Sequence, residues 1–417
     1  MNLRHLILIG IGALAGLFAV ARFGLAAESE GQVLDAVTGN AIAGATITAP
    51  DETAMTDAAG QFKIETNGSK LMARAPGYRA ATAGTSDQGR TIIRLAPFTP
   101  KALYLSFYGI GSKAIREAAL KTIHEDSDLN AVVIDVKGDR GLVAFKTESA
   151  VARAAAADRI TTIPDMPALI RELHEAGVYA IARIVVFKDD PLANSRKDLA
   201  VKTANDELFH DREGLAWTDP FRREVWDYNV SLAVEAARAG FDEIQFDYVR
   251  FPDTKNLRFA EATTLTSRVA AITGFLEEAR RKLAPYNVFL AVDVFGYVCW
   301  NPDDTGIGQR LEDIVPLVDY ISPMLYPSGF SFGIPGYPYP VEHSREIVQL
   351  SLARALSRTH VSPLRFRPWL QAFRDYAFDR RNFASDEVRA QIEAAEASGT
   401  AGWMLWNPRN DYAGIGF

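Results

Sequence analysis

The chain has 417 residues, more than one hydrophobic core usually supports, so we expect two domains. Its formal net charge of -7 argues against nucleic acid as a partner, because nucleic-acid-binding surfaces are basic. The single cysteine, Cys299, excludes an internal disulfide and a cysteine-based zinc site.

Residues 1–27 have the pattern of a targeting segment. Arg4 and His5 precede an apolar run over residues 6–20, and small residues before Ala27 suit cleavage. With Arg22 interrupting it, the apolar run is short for a membrane span. We therefore predict an export signal and a periplasmic or extracellular location. The alternative is an uncleaved anchor that tethers the protein to the inner membrane.

Residues 28–97 contain short strand-like runs separated by Gly-, Asp- and Asn-rich turns, which predict a small all-β sandwich. Motifs in this region resemble the carboxypeptidase regulatory-like domain; they include Gly31-Gln-Val33, the stretch 56–62 and Ala75-Pro-Gly-Tyr78. The resemblance implies an immunoglobulin-like or prealbumin-like sandwich with an accessory role as a spacer or binding module.

From residue 99 to residue 417, strand and helix patterns alternate. The strand runs show little alternation of apolar and polar residues, which is typical of parallel strands covered on both faces. The eight predicted strands are 102–108, 131–137, 178–187, 244–249, 288–295, 319–326, 367–373 and 402–407. Together with the sandwich, they predict an α/β protein with a (β/α)8 TIM barrel.

An open doubly wound sheet is the alternative fold. It would usually carry a glycine-rich phosphate turn after an early strand. Gly109-Ile-Gly111 follows the first barrel strand but lacks the third glycine, so we interpret it as a plain turn.

A barrel places its active site at the carboxyl ends of its strands, and there we predict a catalytic pair, Asp247 and Asp293. Both residues lie late in neighbouring strands, about 5 Å apart. Glycosidic cleavage needs one acid that protonates the leaving oxygen and a second carboxylate that acts as nucleophile or base. A structural pair between Asp247 and Arg250 is the alternative.

The other strand ends carry aromatic and polar side chains that suit a sugar, since rings can stack on its apolar face and polar groups can bind its hydroxyls. The predicted substrate-binding residues are Asp135, Lys137, Arg183, Tyr248, Arg250, Tyr326, Gln371, Trp406 and Asn407. Alternatively, Asp135 and Lys137 form a buried ion pair, and Arg183 holds Asp247 ionised.

Residues 99–417 resemble a family of bacterial (β/α)8 barrels assigned to glycoside hydrolysis. The matching motifs are 133–141, 241–252, 293–296, 319–327 and 402–407. The resemblance implies a distant relation to α-amylase-like and α-galactosidase-like barrels, with Asp247 as the nucleophile and Asp293 as the acid/base. The chain departs from many relatives at Asp293, where they have Glu.

These features predict an exported glycoside hydrolase that acts on an envelope or extracellular polysaccharide without a metal or another cofactor. One alternative is a catalytically inactive barrel that binds carbohydrate and organises the cell envelope. A metal-dependent polysaccharide deacetylase is less favoured, because its chemistry needs histidine ligands and no predicted strand end carries one.

Overall fold

The computed structural model describes residues 27–50, 52–85, 90–126 and 128–415. The predicted export signal falls on residues 1–27, and all of it but Ala27 lies outside the described residues. Among the described helices, none combines the length and the apolar character needed to cross a membrane.

The amino-terminal part is an all-β sandwich, as predicted. Its strands are β1 (Ala27–Asp35), β2 (Thr46–Thr48), β3 (Thr53–Met55), β4 (Gln61–Thr66), β5 (Lys70–Arg74), β6 (Ala81–Gly84) and β7 (Thr91–Leu95). They form one sheet in the order β4-β1-β7 and another in the order β3-β2-β5-β6. Alternation along β4 buries Phe62 and Ile64 and exposes Gln61 and Lys63, so one face of its sheet forms core.

The second part is a closed barrel of parallel strands. Its strands, with two short ones outside the barrel, are β8 (Lys101–Leu105), β9 (Ala131–Lys137), β10 (Tyr179–Val185), β11 (Lys202–Thr203), β12 (Glu243–Asp247), β13 (Leu257–Arg258), β14 (Phe289–Phe295), β15 (Tyr320–Met324), β16 (Trp369–Gln371) and β17 (Trp403–Trp406). Within the described residues, eight strands close in the order β10-β12-β14-β15-β16-β17-β8-β9. The predicted TIM barrel is therefore confirmed.

Helices surround the barrel, and several begin at polar caps that the sequence shows. They are α1 (Phe107–Gly111), α2 (Lys113–Glu125), α3 (Ala150–Ala154), α4 (Met166–Glu175), α5 (Asp190–Ser195), α6 (Arg223–Ala239), α7 (Leu265–Leu283), α8 (Leu311–Ile314), α9 (Ser344–Thr359) and α10 (Ser385–Ala397). The side chains of Ser112, Asp165 and Thr264 accept backbone N–H groups at the starts of α2, α4 and α7.

Several helices differ from the sequence interpretation, among them α1 and α9. The predicted plain turn at 109–111 is the end of helix α1, which the hydroxyl of Ser106 caps through the N–H of Gly109. Helix α9 was not anticipated. Its buried face includes Ser344 and Ser351, and these polar residues weaken the apolar periodicity that indicates a helix.

The sandwich packs on the amino end of the barrel. Arg74 donates hydrogen bonds to Asp319 (3.2 Å) and Asn287 (3.3 Å), which precede β15 and β14. The N–H of Gly77 donates to the hydroxyl of Tyr320 at 3.1 Å. The carboxyl ends of the strands, where the site is expected, therefore lie at the opposite end of the barrel from the sandwich.

Candidate active site

The carboxyl ends of the barrel strands surround a cavity of about 930 Å³. Its walls combine barrel residues with the segments that follow β16 and β17. The lining includes Asp139, Arg183, Asp247, Tyr248, Arg250, Asp293, Phe295, Met324, Tyr326, Phe373, Arg374, Tyr376, Trp406, Asn407, Arg409 and Asp411. Rings and charged groups together give the cavity the mixed character that a sugar requires.

Asp247 and Asp293 reach the cavity from adjacent parallel strands. Strands β12 and β14 pair with Phe246 opposite Val292, and the two acids are the next residues along each strand. Because side chains alternate along a strand, acids in the same register point to the same face. Both line the cavity, so the predicted catalytic pair lies in one site.

Asp247 is held by several donors. Its Oδ2 accepts hydrogen bonds from Nε (3.0 Å) and Nη2 (2.5 Å) of Arg183. Its Oδ1 accepts the N–H of Tyr248 at 2.5 Å, in a backbone conformation with a Tyr248 φ of +50°. A positive φ is unfavourable for a residue with a side chain, so the backbone at this position is strained. The ion-pair partner of Asp247 is thus Arg183 and not Arg250.

Arg183, on the cavity wall, also binds two other acids. Its Nη1 donates to Asp135 and its Nη2 to Asp139, both at 2.7 Å. Its guanidinium lies 4.8 Å from the ring centre of Trp406. Burial raises the pKa of Asp135 to about 6, and the charge of Arg183 opposes that shift. One buried cation therefore connects several carboxylates into a single network.

Asp293 has a different environment. Its Oδ1 accepts a 2.8 Å hydrogen bond from the indole Nε1–H of Trp369. Its Oδ2 is buried and accepts no hydrogen bond from any residue that the structure describes. Burial, followed by the charge of Asp247, raises the pKa of Asp293 well above its ordinary value. This carboxyl is therefore suited to hold a proton.

Aromatic rings form much of the remaining wall. Trp406 stacks on Tyr104 with ring centres 3.9 Å apart, and Trp369 meets it edge-on at 5.4 Å. Tyr326 packs edge-on against Phe373 at 5.4 Å. Trp406, Tyr326 and Phe373 line the cavity with their positions set by these contacts, which suits the binding of a ligand with an apolar face.

Most of the predicted site residues lie at this cavity. Arg250 lines it with its guanidinium 5.0 Å from the ring of Trp217, and it donates to the carbonyl of Phe251. Asn407 lines it as well, although its amide is bonded to the loop backbone at Ala372 and Asp411. The remaining predicted residues on the cavity wall are Arg183, Tyr248, Tyr326 and Trp406.

The structure corrects the position of Lys137. It is fully buried and pairs with Asp189 at 2.5 Å and Asn229 at 2.8 Å, so it does not pair with Asp135 as the sequence suggested. The register between β9 and β10 passes from Asp135–Arg183 to Lys137–Ile184, which skips one residue of β9. This irregularity breaks the alternation that would have placed Asp135 and Lys137 on one face.

Asp135 and Gln371 also lie away from the cavity wall. Asp135 is buried beneath it, where it accepts from Arg183 and from the hydroxyl of Tyr104 at 2.7 Å. The amide of Gln371 bonds Ser328 and the carbonyl of Phe373, and so holds two loops together. The cavity lining therefore does not include Asp135, Lys137 and Gln371, for which direct substrate contact was predicted.

Sequence reasoning missed Trp369 as the partner of Asp293. It also missed cavity residues in the loops after β16 and β17, namely Arg374, Tyr376, Arg409 and Asp411. Loops have no periodicity from which to predict which side chains point inward. For Trp369 a signal was present, because a buried indole N–H needs an acceptor and barrel carboxylates are available ones.

A closed parallel barrel has the architecture of an α/β-barrel glycosidase when two acidic side chains in different environments lie at the carboxyl ends of its strands. A family model described as "Putative glycosyl hydrolase domain" matches residues 102–412. The chain belongs to this family, which confirms the predicted glycoside hydrolase barrel. No protein with a curated function matches the chain in sequence.

The chain is similar to solved structures, among them the following two. A hypothetical protein from Ruminiclostridium thermocellum ATCC 27405 is 31% identical, with a match that covers 46% of this chain and 97% of that one at a TM-score of 0.40. The PgaB (BpsB) glycoside hydrolase domain from Bordetella bronchiseptica is 15% identical, with coverage of 75% and 95% and a TM-score of 0.54. The second likeness is one of fold.

Proposed function

We propose that the protein is an exported glycoside hydrolase that cleaves an envelope or extracellular polysaccharide, with Asp247 as the nucleophile and Asp293 as the acid/base. The observation that carries this proposal is the unequal environment of the two carboxyls. Asp247 is paired with Arg183, whereas Asp293 is buried with one oxygen unbonded to any described residue. Such divergence is how active sites divide acid and nucleophile roles between like groups.

In the first step, Asp293 gives its proton to the glycosidic oxygen as the bond between that oxygen and the anomeric carbon breaks. The carboxylate of Asp247 forms a bond to the anomeric carbon, which leaves a glycosyl-enzyme intermediate. In the second step, the Asp293 carboxylate takes a proton from water as the water oxygen attacks the anomeric carbon and Asp247 leaves. Asp293 ends protonated and Asp247 ends ionised, as they began.

Arg183 supports this division of roles. Its two bonds to Oδ2 orient the Asp247 carboxylate. The ring of Trp406 packs over the same guanidinium and offers its cavity side to a sugar. Charge and shape at the cavity floor are thus fixed before substrate arrives, which is the arrangement that electrostatic catalysis needs.

The test is release of reducing ends from a panel of polysaccharides by the purified full-length protein. The Asp247→Asn and Asp293→Asn variants should each lose about 10²- to 10⁴-fold in kcat on the substrate that is cleaved. Asp227→Asn, an exposed residue of α6, is the matched control and should keep full activity. If the wild type binds a polysaccharide but releases no reducing ends, the binding-only barrel replaces the hydrolase.

Export has a separate test. Cells that express the full chain are fractionated, and the mass of the recovered protein shows whether residues 1–27 are present. Recovery from the periplasm or the medium supports export, with a mature start after Ala27 if the segment is cleaved. Recovery from the cytoplasm alone contradicts it.

A further inference from the structure

One aromatic side chain stands out in the loop between β15 and α9. Phe332 is 92% exposed, the highest value among the large hydrophobic residues that the structure describes. A single exposed apolar residue is ordinary on a protein surface. Phe332 differs because its backbone is held in place and because it continues a row of rings that begins in the cavity.

The backbone at Phe332 is fixed by Tyr297. The hydroxyl of Tyr297 accepts the N–H of Phe332 at 2.9 Å and donates to the carbonyl of Gly333 at 3.1 Å. The N–H of Gly333 bonds the carbonyl of Phe330 at 2.8 Å, with a Gly333 φ of +70° that a glycine adopts without strain. The loop therefore holds the Phe332 ring in solvent by specific bonds.

The same ring belongs to what we name the outer aromatic row, formed by Phe295, Tyr297 and Phe332. Phe295 lines the cavity, and its ring centre lies 5.7 Å from that of Tyr297. Tyr297 lies 6.4 Å from Phe332. The row thus leads from the wall of the candidate active site to the exposed loop.

We infer that the outer aromatic row binds further sugar residues of an extended polysaccharide, with Phe332 stacking on a residue distant from the bond that is cleaved. This inference rests on the proposed function and deepens it to an enzyme that acts within long chains. A ring offers an apolar face at low entropy cost, and the C–H face of a pyranose complements it. Continuity with the cavity favours the substrate chain itself as the occupant.

The test is binding of the full-length Asp247→Asn variant to an array of oligosaccharides, from disaccharides to longer chains, cut from several polysaccharides. Affinity should rise with chain length. Adding Phe332→Ala should lower the affinity for the longer chains about threefold to tenfold. Phe332→Trp should restore it. Tyr108→Ala is the matched control, because Tyr108 is an exposed ring outside the cavity lining, and it should change nothing.

The outcomes separate this inference from the proposed function. Equal affinity for short and long chains, an equal loss at every length in Phe332→Ala, or no effect of that change overturns the role of the row. Each of these leaves the hydrolase proposal standing if any oligosaccharide binds. Binding to no member of the array contradicts both, and it would favour a protein or membrane contact for Phe332.

Discussion

The indole of Trp369 on β16 donates a hydrogen bond to Asp293 on β14, and β15 lies between these strands. The bond of 2.8 Å therefore links two strands that are not neighbours and fixes one oxygen of the buried carboxyl. Burial and the charge of Asp247 raise the pKa of Asp293, whereas the charge of Arg183 and the hydrogen bond from Trp369 lower it. Trp369 therefore favours the charged form of Asp293 against the net effect of its surroundings.

Trp369→Phe should move the alkaline limb of the pH dependence of kcat/KM to higher pH. The acid must be protonated to act, so activity falls as pH rises through its pKa, and loss of the indole N–H raises that pKa further. The value of kcat should also fall, because the carboxyl loses its orientation. Trp403→Phe, which changes a buried tryptophan that donates to Glu396, should leave the limb in place. A limb that moves to lower pH would contradict the proposed role of Asp293.

Arg183→Met should destabilise the protein as well as inactivate it. The change leaves Asp135, Asp139 and Asp247 without their shared cation, two of them buried. Breaking a buried ion pair by removing one partner costs about 3–5 kcal/mol in the free energy of unfolding. Urea denaturation measures the loss, with Arg171→Met on the exposed face of α4 as the control. Unchanged stability would show that the network is not held by Arg183.

Tyr248→Gly should be more stable than Tyr248→Ala. The φ of +50° at this position favours glycine by about 1–2 kcal/mol over a residue with a Cβ. Both variants lose the ring, so their difference isolates the backbone. The same pair at Glu261, which does not have a positive φ, should show the opposite order because glycine gains more entropy on unfolding. Thermal unfolding of the four variants checks the prediction, and equal midpoints at position 248 would refute it.

Lys137→Met should lower stability without changing KM. Its partner Asp189 is fully buried and would lose its counter-charge, at a cost of about 3–5 kcal/mol. Lys137 lies away from the cavity wall, so below the unfolding transition the affinity for substrate should stay at the wild-type value. Trp406→Ala, on the wall itself, is the comparison and should raise KM. A raised KM for Lys137→Met would show that this residue contributes to substrate binding.

The strands of the barrel were predictable because buried parallel strands read as continuous apolar runs. The position of the acid pair followed from the convergence of strand ends, since a closed barrel brings Asp247 and Asp293 to one mouth. The sequence pattern does not reveal that the pairing of β9 with β10 skips one residue. This skip places Lys137 beside Asp189. The sequence pattern also does not show which loop residues turn inward, so Tyr376 and Arg409 were found only in the structure.

The unbonded Oδ2 of Asp293 implies a conflict between protein stability and catalytic activity at this position. A buried polar oxygen without a donor weakens the native state, and an aliphatic side chain there would relieve that cost. A library screened for heat resistance alone should therefore lose the acid at position 293 early. A library screened for growth on the polysaccharide should keep the acid. The residue recovered at position 293 would therefore show whether selection acted on stability or on activity.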